Sequence, residues 1–365
     1  MSRKNLIIAV AAFLLMPQLA SAQATQKFTA SKGNNYGLVY SLPVTHLLFQ
    51  VEAVNTVKKA GPFCNYAKKY LGTDAITDDE ATWELKNVSV SDFGVPDKGE
   101  QYLMQFKKGA TPFLMLTSDG IPLSVNTENV VVPVKKPLAQ AAQPTVLDNY
   151  AYGQALSGEL LASESTAKRA EIAAQQIYKI RESRTGYATG EADPMPTDGE
   201  AMKVAIKQLD AQEADLTALF LGTTKSSTGV AEFEYTPTGD VTDEVLFRIS
   251  DFGGIVSKTD LSGEPVYISV KVTQRGEMPL DEKGQPQKLP KEAVIYKIPG
   301  QALVTLKYQG KEIYSHTFPM AQFGINFGLD PSIFTDKKAP AYVKFSPTTG
   351  AVTELGTGTE DTTTK

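Results

Sequence analysis

The chain has 365 residues, of which 36 are lysine or arginine and 41 are aspartate or glutamate, so its formal net charge at pH 7 is −5. This acidic balance, with no basic stripe to interrupt it, argues against nucleic-acid binding. A single cysteine, Cys64, excludes a disulfide bond within the chain.

The first predicted element is a secretory signal peptide at residues 1–22. It has a basic start, an apolar stretch at 6–15 that is too short to span a bilayer, and small residues at 20–22. Cleavage after Ala22 leaves Gln23 as the first mature residue, and because Gln23 is not a cysteine we expect no lipid anchor. No later apolar run is long enough for a membrane helix. We therefore expect an exported protein that is periplasmic or associated with the outer membrane.

The next element is an N-terminal β-module at 23–125, with one short helix. It contains the letters SDFG at 91–94, which follow an alternation of apolar and polar residues, and the same letters return at 250–253 in a similar setting. We interpret both segments as strand, turn and strand, with Phe93 and Phe252 in equivalent cores of two duplicated modules. The alternative, two unrelated turns in a β-rich protein, stays open.

A linker at 126–152 contains prolines and little periodicity, and after it the pattern becomes helical. Small and apolar residues recur at steps of three and four over 156–184 and again over 199–220. Two amphipathic helices joined by a proline-containing turn are typical of a helical hairpin. The sequence therefore predicts a long antiparallel helical hairpin at 153–222.

The tip of this hairpin supplies the first candidate binding residues. Four acids gather there: Glu191, Asp193, Asp198 and Glu200. Asp198, or Thr197 beside it, is also expected to cap the second helix. A solvated turn is the ordinary interpretation of these acids, and a weak cation site or a partner contact is the functional one. Trp83 is the other candidate, interpreted as a buried strand residue, with a platform for stacking sugars as the alternative.

A C-terminal β-module is predicted at 223–352. It contains a charged, proline-rich loop at 274–291, and the polar tail at 353–365 is expected to be disordered. The predicted fold class is thus α+β, with two mostly antiparallel β-modules and a long antiparallel helical hairpin between them.

Motifs for catalysis and metal binding are missing from the sequence. It has no GxGxxG and no HRD to accompany SDFG as in a kinase, no HxxxH, HExxH or CxxC, and no GxSxG. His46 and His316 each lie in an alternating run and are expected in sheets. Cys64 is expected to pack as a small hydrophobe at the start of a short helix, and a reactive thiol is the alternative. We therefore expect no cofactor and no metal, and we assign no catalytic residue.

Four stretches carry a resemblance to a known family. They are GPFCNYAKKYLG (61–72), DGEAMKVAIKQLDAQEADLTALFLG (198–222), LSGEPVYISV (261–270) and AQFGINFGLDPSIF (321–334). In this order they resemble a family of exported Bacteroidota proteins that is catalogued only as a domain of unknown function, over about residues 32–352. The resemblance implies export, and it implies no particular reaction, cofactor or catalytic residue.

These observations lead to a hypothesis about function. We interpret the chain as an exported, non-enzymatic envelope protein that uses the hairpin to bind or scaffold a macromolecular partner, either an envelope protein or a glycan. The alternative is a carboxylate-dependent hydrolase acting on glycan or peptide. It stays open because two acids that the fold brings together leave no local signature in a sequence.

The signal peptide gives a direct prediction. Export should remove residues 1–22, so the intact mass of the protein purified from the native cell envelope should equal that of a chain starting at Gln23. Cytoplasmic protein from cells blocked in secretion is the control and should keep the longer mass. Envelope protein that still carries Met1 would contradict the assignment.

Overall fold

The computed structural model describes residues 24–27, 37–105, 113–130, 157–163, 165–193, 195–196, 198–336 and 340–357. The predicted signal peptide and most of the predicted linker lie outside these ranges. In the part of the chain that is described, no helix is both long and apolar enough to cross a membrane.

The described residues form strands and helices in the following order. They are β1 Ala24–Lys27, β2 Leu38–Lys59, α1 Ala67–Leu71, β3 Glu80–Gln105, β4 Leu114–Leu116, β5 Pro122–Val125, α2 Gly158–Ala162, α3 Thr166–Thr189, α4 Gly199–Leu221, β6 Thr223–Tyr235, β7 Val241–Ser250, β8 Gly254–Ser257, β9 Glu264–Gln274, β10 Val294–Tyr308, β11 Lys311–Leu329, β12 Ala341–Phe345 and β13 Val352–Thr357. Strands outweigh helices, and the predicted α+β class is confirmed.

The strands form three sheets. The first sheet has the order β1-β3-β2-β6, the second β11-β10-β9-β7-β8, and the third β13-β12-β5-β4. The strand pairs among the described residues are antiparallel, as predicted. Strands from either side of the hairpin share sheets, because β6 pairs with β2 and β12 pairs with β5. The two β-rich halves of the sequence therefore share two of the three sheets and are not separate modules. Local sequence patterns predicted the strands, but they could not predict which strands pair.

Two long strands connect three hydrophobic clusters. β2 has 22 residues and β3 has 26, so at about 3.3 Å per residue the pair extends for roughly 70 Å. The main cluster lies between the first and second sheets and includes Leu47, Phe49, Val51, Phe247, Ile268 and Val304. The second lies near the start of β2 and includes Tyr40, Leu42, Met104, Val343 and Phe345. The third is helical and includes Phe63, Ala67, Ala174, Ile177, Leu219 and Phe220.

The predicted helical hairpin is present as α3 and α4. Buried alanines of α3 lie in one cluster with leucines of α4, and ion pairs on the surface join Arg181 to Glu213 (2.6 Å) and Arg184 to Asp210 (2.9 Å). Asp198 caps α4, because its carboxylate accepts a hydrogen bond from the backbone N–H of Ala201 at 2.8 Å. The prediction of a cap at Asp198 is confirmed, and Thr197 lies outside the described residues.

The two SDFG segments differ in structure. The first lies inside β3, where Phe93 pairs with His46 of β2 and no turn interrupts the strand. The second ends β7 at Ser250 and then forms the turn into β8, where Phe252 is 95% exposed. The prediction of strand, turn and strand is confirmed only for the second segment, and the prediction of equivalent cores is wrong. Continuous pairing with β2 holds the first segment extended, so the tetrapeptides do not mark equivalent positions.

Two further predictions concern irregular regions. The predicted loop at 274–291 is present between β9 and β10. The tail expected to be disordered from 353 onwards instead begins with β13, which pairs with β12 from Ala341 to Phe345. Local composition missed this strand because β13 is mostly exposed and carries few apolar residues, and hydrogen bonds to the neighbouring strand β12 order it. Residues 358–365 lie outside the described ranges.

A buried polar contact joins β2 to the second sheet. The backbone N–H of Thr45 donates to Oε1 of Gln322, whose amide donates to the carbonyls of Thr45 and Pro237, all at 3.0 Å. The Thr45 hydroxyl accepts from Ala321 N–H (3.0 Å) and donates to the carbonyl of Thr348 (3.1 Å). Thr45 is fully buried, so these bonds satisfy groups that water cannot reach.

Removing this hydroxyl should destabilise the protein. Thr45→Val leaves Ala321 N–H and the Thr348 carbonyl without this partner, and the free energy of unfolding should fall by about 1–3 kcal/mol. The control is Thr56→Val on the same strand, whose hydroxyl makes only an exposed 3.4 Å contact with Ser226. Urea unfolding should detect a change of no more than about 0.5 kcal/mol for the control. Equal effects would show that the buried contact has no special role.

Candidate functional site

Two adjacent loops display large apolar side chains to solvent. Phe252 lies in the turn between β7 and β8 and is 95% exposed, and Leu261 lies in the connection between β8 and β9 and is 82% exposed. They are the two most exposed large hydrophobic residues in the described ranges. Single exposed apolar residues are ordinary, but two that are almost fully exposed on neighbouring loops mark a candidate contact surface. We call the two side chains the apolar pair.

Ser250 joins the two loops at their base. Its side-chain oxygen accepts a hydrogen bond from the hydroxyl of Ser262 at 3.0 Å, and longer bonds from the backbone N–H groups of Phe252 and Gly253 at 3.3 and 3.4 Å. Ser250 is 1% exposed. A buried residue therefore fixes the backbone on which both apolar side chains stand.

The second loop is held by side chains at both ends. Arg248 donates from Nε to the Lys258 carbonyl at 3.2 Å and from Nη1 to the Gly263 carbonyl at 3.1 Å. Asp260 accepts from the backbone N–H of Ser262 at 2.9 Å, and this bond lowers the pKa of the Asp260 carboxyl group. The loop that carries Leu261 is thus ordered by its own polar groups.

The surroundings of the apolar pair are acidic. Asp251 precedes Phe252 and Asp260 precedes Leu261. The Arg248 guanidinium is close enough to Asp260 to contribute to the lowered pKa of its carboxyl group. The nearby Lys258 ammonium pairs with Glu244 at 3.2 Å, so its charge is compensated locally. The surface therefore combines two apolar side chains with two carboxylates.

Trp83 lies beneath this surface. Its ring is 8% exposed and packs against Gly254, the first residue of β8, where a Cβ atom would lie 2.9 Å from the ring. Gly254 has a φ of +68°, a conformation that favours glycine. The interpretation of Trp83 as a buried strand residue agrees with this position, because so buried a ring offers no face on which a sugar could stack.

The comparisons with known proteins place the chain in a family. The family model described as "Domain of unknown function (DUF4831)" matches residues 36–353. The chain belongs to this family. The matched range of the DUF4831 domain contains the apolar pair and Trp83. No curated protein and no solved structure matches the chain.

Within the DUF4831 domain, the acids of the hairpin tip do not converge on one site. Asp198 caps α4, and Glu200 pairs with Lys203 at 2.6 Å. Glu191 accepts a hydrogen bond from Thr189 at 3.3 Å, and Asp193 is exposed. No group of three or more His, Cys, Asp or Glu residues that could hold a metal ion occurs in the described ranges.

The histidines and the cysteine lie apart from the apolar pair. His46 of β2 contacts the Thr236 hydroxyl through Nδ1 at 2.9 Å, and burial lowers the pKa of its imidazole. His316 lies in β11, so both histidines are sheet residues as predicted. Cys64 lies at the start of a short 3-10 helix, as predicted, and it is half-buried rather than fully packed.

The sequence analysis identified the turn that carries Phe252 but did not identify Leu261. It predicted the turn at Asp251 and Gly253 but placed Phe252 in a core, and it did not single out Leu261. The usable signal was the setting of Leu261 between Asp260 and Ser262, since a lone apolar residue among turn-forming residues has no period that would bury it.

The exposure of Phe252 predicts a contrast in stability. Phe252→Ala should change the free energy of unfolding by no more than about 0.5 kcal/mol, because the side chain contacts mostly solvent. Phe247→Ala in β7, the strand that leads into this turn, should cost about 3–5 kcal/mol, because Phe247 is fully buried and stacks on Phe233 with ring centroids 5.0 Å apart. Urea unfolding monitored by circular dichroism measures both. A large loss for Phe252→Ala would mean that the turn packs against the protein.

Proposed function

We propose that the chain is an exported, non-enzymatic envelope protein that binds another protein through the apolar pair. The observation that carries the proposal is the 95% exposure of Phe252 and the 82% exposure of Leu261 on loops that hydrogen bonds fix in place. Exposed apolar surface of this kind gains free energy when a partner removes it from water. The exported location is supported by the residue pattern at 1–22.

The fixed conformation of the two loops favours tight binding. Association loses conformational entropy when it immobilises flexible segments, and loops that are already fixed lose less. Ser250, Arg248 and Asp260 fix the backbone around both side chains. The apolar pair therefore has the pre-organisation that is typical of binding anchors in protein interfaces.

The charge around the apolar pair defines the chemistry of the partner. Asp251 and Asp260 stand beside Phe252 and Leu261, and complementary potentials are the rule across protein interfaces. The partner surface that fits is an apolar pocket with lysine or arginine side chains on its rim. Binding to such a surface should weaken as salt concentration rises, because the rim charges are exposed to solvent.

This proposal moves the contact from the helical hairpin to the sheets. The hairpin also exposes apolar residues, but Val204 is 56% and Tyr178 is 46% exposed, less than either member of the apolar pair. The Tyr178 hydroxyl is also bound within the protein, since it donates to the Tyr70 carbonyl.

Quantitative affinity purification from the native envelope tests the proposal. Phe252→Ser and Leu261→Ser should each reduce recovery of the same specific protein by at least about tenfold, which corresponds to 1.4 kcal/mol of lost binding free energy. The matched control is Leu280→Ser, which changes a 60% exposed leucine on the loop between β9 and β10. It should leave recovery unchanged.

Two results would contradict the proposal. In one, the same proteins are recovered with both serine variants as with the unchanged chain. In the other, recovery falls when Glu191 and Asp193 are replaced by alanine while the apolar pair is intact, which would place the contact on the hairpin tip.

A further inference from the structure

The outer face of the second sheet carries a groove of about 470 Å³. Its wall is the start of β7 and its floor is formed by β9 and β10. The apolar pair lies beyond the other end of β7, which has 10 residues and is therefore roughly 30 Å long. The groove is thus a second surface, and ligand binding in it does not depend on the proposed protein contact.

A β-bulge opens the groove. Val241 pairs with Val270 and Glu244 pairs with Ile268, so two residues of β7 stand opposite Ser269 alone. One of them, Asp243, has a φ of +49°, and its backbone N–H donates to the Ser269 hydroxyl at 3.0 Å. Bulges redirect side chains and occur often beside binding sites. This one lifts the wall of the groove away from its floor.

The lining offers hydroxyl groups and small apolar surfaces. Ser269 and Thr305 are directly paired on the floor, and Thr242 belongs to the wall. Leu303 lies two residues from Thr305 along β10, and Val241 belongs to the same wall as Thr242. Hydroxyls both donate and accept hydrogen bonds. This combination suits a ligand with many hydroxyl groups and apolar C–H faces.

The groove carries charged groups of both signs. Lys271 and Lys307 line it together with Asp240 and Glu312. Lys307 also pairs with Asp243 at 3.3 Å, and Asp240 accepts the backbone N–H of Val272 at 2.7 Å. A charged ligand would leave one set of these groups opposed by like charge, whereas an uncharged ligand can bond to both sets.

We propose that this groove binds a neutral oligosaccharide. Sugar hydroxyls would bond to Thr305, Thr242 and the charged groups at the rim, and ring C–H faces would pack on Leu303. The Ser269 hydroxyl is already bonded to Asp243, to which it donates at 3.1 Å and from whose backbone N–H it accepts at 3.0 Å. The volume lies within the range of about 300–1,000 Å³ that small-molecule sites occupy. The groove is open to solvent, so a segment of a longer chain can lie in it and extend beyond both ends.

An array of neutral and acidic oligosaccharides, probed with the purified full-length protein, tests the class of ligand. We expect binding to neutral oligosaccharides in preference to their uronic-acid counterparts, with little dependence on salt. No binding to any neutral oligosaccharide, or a preference for the acidic ones, would overturn the proposal.

The affinity of single-residue variants for the tightest-binding neutral oligosaccharide, measured by isothermal titration calorimetry, then tests the position of the site. Thr305→Val and Lys271→Met should each weaken binding by at least tenfold. The matched controls are Thr224→Val on β6 and Lys283→Met on the loop between β9 and β10, both at exposed positions outside the groove, and they should bind unchanged. Melting temperatures equal to that of the unchanged protein show that the variants are folded. Because Lys271 is exposed, Lys271→Met remains informative even if Thr305→Val is unstable. Unchanged binding by Lys271→Met and Thr305→Val would move the ligand elsewhere.

Discussion

The antiparallel pairing of β2 with β3 is the constraint on which the rest of the structure depends. The pair supplies Tyr40 and Met104 to one cluster and Leu47, Phe49 and Trp83 to the main cluster. Its far end leads into the loop whose Phe63 packs on Phe220 of α4, with ring centroids 5.5 Å apart. One strand pair, whose register shifts at two places, thus fixes the order of three hydrophobic clusters.

The same ladder positions the candidate surface. Trp83 of β3 lies against Gly254 of β8, so the turn that presents Phe252 rests on a ring anchored in the first sheet. Thr45 of β2 is bonded through Gln322 to the second sheet, which holds the two sheets together further along. The outer groove faces away from this contact, and its hydroxyl lining results from side chains that alternate between the core and solvent along β9 and β10.

Local physics accounts for what the sequence could predict. Alternation of apolar and polar residues indicated the strands, and apolar residues at steps of three and four indicated α3 and α4. Asp198 was identified as a helix cap because its carboxylate can accept a hydrogen bond from the backbone at the start of α4. Strand partners and exposure depend on residues far apart in the chain, so the sharing of sheets between both halves was not predictable from local patterns. Phe93 and Phe252 stand in identical tetrapeptides, yet pairing with His46 keeps the first in a strand while the second lies in a turn. The strand β13 was missed because it is an exposed strand with few apolar residues, and Leu261 stands in no periodic pattern that could have identified it.

Photocrosslinking in native cells tests most directly whether Phe252 touches a partner. A photoreactive phenylalanine derivative placed at 252 preserves the aromatic ring, and the same derivative placed at Leu280 is the control. We predict a discrete crosslinked species from position 252 that is missing from position 280, with the crosslinked peptide of the partner containing lysine or arginine. Identical crosslinks from positions 252 and 280 would contradict this account. So would the lack of a crosslink from 252 if the same derivative placed at Val204 on the hairpin gave a discrete species.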